Sequence, residues 1–155
     1  MADRTDAYLL MRSLVADRDW RRAAQRCEAM LQWLAERSGQ DVDRWAAAGL
    51  LAFSDATLTA ENPAARGRVA AEQARAGGFD RELARALEDC YQPTAGADGL
   101  ADALAVALAL SAEQLAIEVA GLNARAKLAR QRLALTNQEI DQMIAAADLC
   151  TRAKV

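Results

Sequence analysis

Histidine is absent from all 155 residues. That omission removes the side chain whose ordinary pKa lies nearest neutrality. With it go His-based acid–base catalysis, Ser-His-Asp and Cys-His nucleophilic machinery, and His-ligated metal sites. A carboxylate-only site for Mg2+ is what remains of metal chemistry. Proline occurs twice and aromatics make up 5% of the chain. β-branched residues are scarce and no stretch alternates apolar and polar residues with period two, so strands have no support. Cys27, Cys90 and Cys150 are odd in number, widely spaced and without a CxxC pair. They suggest neither a zinc site nor a disulfide framework, and they fit a reducing, cytoplasmic setting. The opening Met-Ala-Asp-Arg has no apolar signal core.

Charge of one sign is also missing. The net charge is −3, and the basic cluster Arg18, Arg21, Arg22, Arg26 is broken by Asp17, Asp19 and Glu28. A solvated helix face explains it better than a nucleic-acid partner does. The longest apolar run, Leu100 to Ala120, contains Asp102, Glu113 and Glu118. Three acids make a membrane span expensive, so the run reads as a buried core helix and no membrane partner is expected.

What the chain has in quantity is alanine, leucine and arginine, the composition of helices. Thr5 is read as the cap of a first helix to about Val15. A second runs from about Asp19 to Ser38 on an apolar stripe from Trp20 to Leu34, with Gly39 as its stop. Asp41 opens a third, through about Phe53. After a loop at 54–61, Asn62-Pro63 is read as the start of a helix ending at Gly77-Gly78. Asp80 caps a short helix to about Cys90. Tyr91 to Asp98 is read as a loop. A long Ala/Leu helix follows from about Gly99 to Val119, then a break at Gly121 and Asn123. Thr136 to Glu139 forms a capping box for a terminal helix. The expectation is an all-α, compact single-domain bundle of about six to eight helices spanning 1–155.

Four local texts carry a resemblance: Ala23 to Leu31 (AAQRCEAML), Trp45 to Asp55 (WAAAGLLAFSD), Asn62 to Glu72 (NPAARGRVAAE) with the GGFD turn at Gly77 to Asp80, and Ala86 to Cys90 (ALEDC). In order and spacing they resemble the short HD-domain family of bacterial hydrolases over about residues 5–120, with 121–155 as a C-terminal helical extension. The resemblance implies an HD-type bundle with a central metal cradle built from His and Asp, in which the ions activate water and neutralise a phosphoryl oxygen. Residue by residue, the first His position is Ala23 and the His-Asp doublet is Ala52-Phe53. The later His positions are Arg66 and Cys90, and the late Asp falls at about Leu108. Asp55 survives two places past the doublet. Apart from Cys90, none of the replacements offers a lone pair to a cation. A metal-dependent phosphohydrolase is therefore not expected, nor is any metal or other cofactor.

The implied use of such a fold is a former metal site converted to a small-molecule pocket, binding or transforming an organic substrate in a bacterial biosynthetic setting. Ala23, Ala52, Phe53, Asp55, Arg66, Cys90, Tyr91 and Leu108 are its candidate ligand residues. Arg66 suits a carboxylate or phosphate, and Asp55 is the candidate acid–base group. Each also has a plain structural reading: Phe53 and Leu108 as core, Cys90 as a buried small hydrophobe, Arg66 as a surface ion pair, Asp55 as a turn cap and Tyr91 as a loop anchor. The alternative function is a non-catalytic scaffold. It would present Trp20, Trp33 or Trp45, with Trp33 the most exposed, or Lys127, Arg130, Arg132, Leu133, Leu135 and the terminal helix, to a partner or to a second copy as a homodimer, the plain reading of these last being that they pack back on their own domain. A third reading, carboxylate–Mg2+ chemistry through Glu28, Asp55, Glu72 and Asp89, lacks the imidazoles and the doublet.

Overall fold

A computed structural model describes residues 2–92, 96, 98–117, 119 and 121–153, with side chains through 149. Among them are eight α-helices and one 3-10 turn: α1 (Arg4–Leu14), α2 (Arg18–Ser38), α3 (Val42–Leu51), the 3-10 turn Pro63–Ala65, α4 (Arg68–Ala76), α5 (Arg81–Asp89), α6 (Gly99–Gln114), α7 (Leu122–Arg132) and α8 (Asn137–Ala153). No strand occurs among the described residues. The expected all-α bundle is what the chain forms.

Aspartate starts most of these helices. The side chains of Asp3, Asp17, Asp41, Asp80 and Asp98 each accept a backbone N–H from the first turn of the helix that follows. Each satisfies donors that a helix start leaves open. The first helix begins at Asp3 and not at Thr5, because Asp6 stands three residues on and bonds back to the Asp3 N–H at 2.9 Å. That reciprocal pair favours the earlier start. The box at α8 is as expected: the Glu139 N–H donates to Thr136 Oγ1 and the Thr136 N–H to Glu139 Oε1, both at 3.1 Å.

Helix α6 is the centre. Every residue from Leu100 to Leu108 is buried, the pattern of a helix enclosed on all sides. Its neighbours are α2, α5 and α7, and α2 is itself covered by α3 and α8. Alanines let the axes come close. At the tightest point a Cβ placed on Gly49 of α3 would stand 2.7 Å from the Cys27 carbonyl oxygen of α2. Trp20 and Phe53 close one end, ring centroids 5.2 Å apart and tilted by 56°, within the usual contact range of aromatic pairs. The C-terminal residues pack on their own bundle: α7 against α6 and α8 against α2.

Two elements depart from the sequence reading. The helix expected from Asn62-Pro63 is split, since the 3-10 turn ends at Arg66, Gly67 takes φ +87° and α4 starts afterwards. The long helix stops at Gln114 and not near Val119. Ala116 turns left-handed at φ 54°, with the Ile117 N–H reaching back to Ala112 O at 2.8 Å and Ala116 N–H to Glu113 O at 3.2 Å. This is the hydrogen-bond pattern that closes helices at glycine, here formed around alanine. The expected loop at Tyr91 to Asp98 lies partly outside the described residues, as do Glu118 and the Cys150 side chain.

Candidate functional site

The split before α4 has one cause. Beyond α3 the chain descends through successive turns, Ser54 N–H to Leu51 O, Ala56 N–H to Phe53 O and Thr59 N–H to Asp55 O, and Asp55 ends fully buried. Its Oδ2 accepts the Gly67 N–H at 2.7 Å and the Ala70 N–H at 3.0 Å. Gly67 has no side chain to cap α4, so a carboxylate twelve positions earlier does it. Gly67 is required on two grounds. Its φ is left-handed, and a Cβ there would meet Leu87 O and Tyr91 Cδ2, each at 2.8 Å.

Arg66 is thereby fixed at the edge of the bundle. Its Nε donates to Thr59 Oγ1 at 3.3 Å, and the Thr59 hydroxyl donates to the Asp55 carbonyl at 2.8 Å. Burial pushes the Asp55 carboxyl above its ordinary 3.8, against the opposing pull of the Ala70 and Gly67 amides and the Arg66 guanidinium. Its Oδ1 has no hydrogen-bond partner among the described residues. Tyr91 donates its hydroxyl to the Ala52 carbonyl at 2.9 Å, tying the start of the 92–98 segment to the end of α3. Loss of solvent around that phenol raises it well above 10.

Beside Arg66 lies a groove of about 790 Å3. Ala60, Pro63 and Arg66 form one wall. The last turns of α6 contribute Ala109, Ala112 and Glu113, and the far side is Ile117, Val119, Leu122 and Asn123. The groove is thus mixed in character, with aliphatic side chains standing beside Arg66, Glu113 and Asn123. It exists because α6 stops at Gln114 and the chain turns away before α7.

The remaining candidates lie elsewhere. Ala23, Ala52, Phe53, Cys90 and Leu108 are all at or below 1% exposure inside the core, and none lines the groove. Tyr91 is brought within electrostatic reach of Asp55, Arg66 and Cys90, and Cys90 within reach of Asp55. Of the whole set, Arg66 alone faces the groove. Cys90 is held as a thiol by burial, donating to Leu87 O at 3.1 Å. Among the acids, Glu28 is buried and bonded to Arg4 Nε at 2.8 Å, Asp89 is 3.6 Å from Arg85, and Glu72 is exposed. No three Cys, Asp or Glu side chains among the described residues converge as a metal-holding group. Trp33, expected on the surface, is half-buried under the Arg37 guanidinium, 4.9 Å from its ring. Among the described residues no helix is long and apolar enough to cross a membrane.

Sequence reasoning did not anticipate the buried ion pair of α6 and α7. Asp102 Oδ1 accepts from Arg125 Nη1 at 2.9 Å and from Arg132 Nη1 at 3.4 Å. Arg125 also donates through Nε to the Asp89 carbonyl at 3.3 Å. The signal was present: a lone acid early in an apolar run needs a buried cation. Thr59 and Glu113 were also passed over as site residues, because nothing local marks either.

Comparison with protein-family models and with curated proteins finds no match.

Proposed function

We propose that the chain is a degenerate HD-type protein that works without a metal and holds a small organic anion in the groove beside Arg66. The observation that carries this reading is Arg66 itself. Among the described residues its only hydrogen-bond partner is Thr59, through Nε, and it lines the groove, so its terminal nitrogens have donors to spare. A guanidinium with two free N–H vectors binds a carboxylate or phosphate in bidentate fashion. The apolar wall from α6 and α7 suits an organic body. The expected conversion of the old centre is thereby moved sideways: the positions resembling metal ligands are packed with alanine, phenylalanine and leucine, and binding is assigned to the adjoining groove. Asp55 is given a structural task, capping α4 and bracing Arg66, and binding is favoured over turnover.

The scaffold reading has one observation in its favour, the filled centre around Phe53 and Leu108. Against it stands the lack of an exposed tryptophan, since Trp20 and Trp33 are half-buried and Trp45 is 6% exposed.

Titration of the whole chain with inorganic phosphate and with acetate, followed by amide NMR, tests the proposal. Shifts confined to residues 59–67 and 109–123 are expected, and Arg66→Gln should abolish them while leaving the melting temperature unchanged. Equal response of the parent and the variant would sink it.

A further inference from the structure

Resting on the Arg66 groove as the binding site, we infer that its natural ligand is a zwitterion: a small molecule with a carboxylate, an ammonium and an aliphatic body, the chemistry of an amino acid. Arg66 stands on one wall and Glu113 on another wall of the same groove. The two do not pair with each other. Arg66 bonds only to Thr59 among the described residues, and Glu113 has no side-chain partner among them. Opposite charges that line one space without pairing leave each able to take a ligand group, with Arg66 also in electrostatic reach of the buried Asp55 carboxyl.

Position makes the Glu113 charge more telling. It lies in the last turn of α6, where the helix dipole and the open carbonyls already concentrate negative potential. A carboxylate there, with no basic residue in that turn, raises the free energy of the empty groove, and a bound ammonium lowers it. A simple anion would be attracted by Arg66 and repelled by Glu113, and a simple amine the reverse. A ligand carrying both charges satisfies both walls. Ala109, Ala112, Ile117 and Leu122 offer an aliphatic patch that suits a branched hydrocarbon body, with the Asn123 side chain also on the wall.

Three probes with one carbon skeleton separate the possibilities: L-leucine, 4-methylpentanoate (which lacks the ammonium) and 3-methylbutylamine (which lacks the carboxylate). Affinities for the whole chain are read by amide NMR or calorimetry. Leucine is expected to bind at least about tenfold more tightly than either half-ligand, the weight of one charged contact. Glu113→Gln should remove the advantage of leucine over 4-methylpentanoate without weakening 4-methylpentanoate. Arg66→Gln should remove its advantage over the amine. If 4-methylpentanoate equals leucine and still depends on Arg66, the zwitterion proposal is overturned while the anion-binding reading stands. If none of the three perturbs residues 109–123, this proposal also fails, and the phosphate and acetate titration decides the broader reading on its own. Glu113 is exposed, so its substitution leaves folding intact, and a melting curve checks that.

Discussion

The carboxylate of Asp102 and the guanidinium of Arg125 meet at 2.9 Å with their side chains at 3% and 0% exposure, joining the central helix to α7. Attraction inside the bundle offsets the desolvation of both ions only while both are present. Arg125 Nη2 already lacks a partner among the described residues, so little else could compensate a loss. Asp102→Asn is expected to lower the unfolding free energy by about 3 kcal/mol or more, whereas Asp102→Leu with Arg125→Met should stay within about 1–2 kcal/mol of the parent. Urea denaturation of the three proteins checks this. A single variant as stable as the parent would mean that the pair is solvated.

Asp55 and Asp80 should respond to pH in opposite senses. Burial raises the Asp55 carboxyl above 3.8 in the folded chain. Its contribution is therefore fully present below 3.8 and is lost as pH rises through the folded value. The side-chain hydrogen bonds from Arg44 lower Asp80 below 3.8, so its contribution is present above that value and is lost as pH falls. The stability of Asp55→Asn relative to the parent should thus improve from acid toward neutral pH, and that of Asp80→Asn should worsen. Urea midpoints between about pH 3 and 7 compare them. Asp55→Ala removes both acceptor bonds and should cost about 2 kcal/mol at acid pH, through the lost cap and two orphaned amides, and less toward neutral pH.

Gly49→Ala sets two magnitudes against each other. Alanine would gain about 1 kcal/mol of helix propensity. Its Cβ would lie 2.7 Å, 2.8 Å and 2.9 Å from backbone atoms of Cys27 and Glu28, and backbone cannot rotate aside. Prising α3 off α2 costs about 1–3 kcal/mol, so the net effect is expected to be destabilising. A raised melting temperature would contradict the close approach.

Ala134 closes α7 as Ala116 closes α6, at φ 53° and with the Leu135 N–H on Arg130 O at 3.2 Å. A left-handed alanine costs about 1–2 kcal/mol. Glycine relieves that at an entropic cost of about 0.5–1 kcal/mol. Ala134→Gly should therefore stabilise by about 0.5 kcal/mol, seen as a higher urea midpoint with an unchanged slope.

Features of this fold that depend on near neighbours were legible in the sequence. Gly39, Asp41, Asp80 and the Thr136–Glu139 box act within four residues of themselves, and each was read in its place, whereas Asp17, the cap of α2, was read only as an acid breaking a basic cluster. Features set by distant partners were not. The end of α6 depends on an alanine adopting a conformation usually left to glycine. The split at Gly67 depends on a carboxylate that arrives from Asp55. The candidate site follows the same rule: Arg66 was visible through a resemblance, but the wall it faces is formed by residues more than forty positions later. The space expected at Ala23 and Ala52 was inferred from missing side chains, and neighbouring helices had room to close over it.

Arg26 of α2 is bonded to Asp148 of α8 at 2.7 Å, 122 positions further along the chain. During translation at about 5–20 residues per second, α2 must wait on the order of ten seconds for that partner to be made. For that interval the apolar flank later covered by α8 has no covering helix. The α2–α8 seam thus closes only once α8 has left the ribosome.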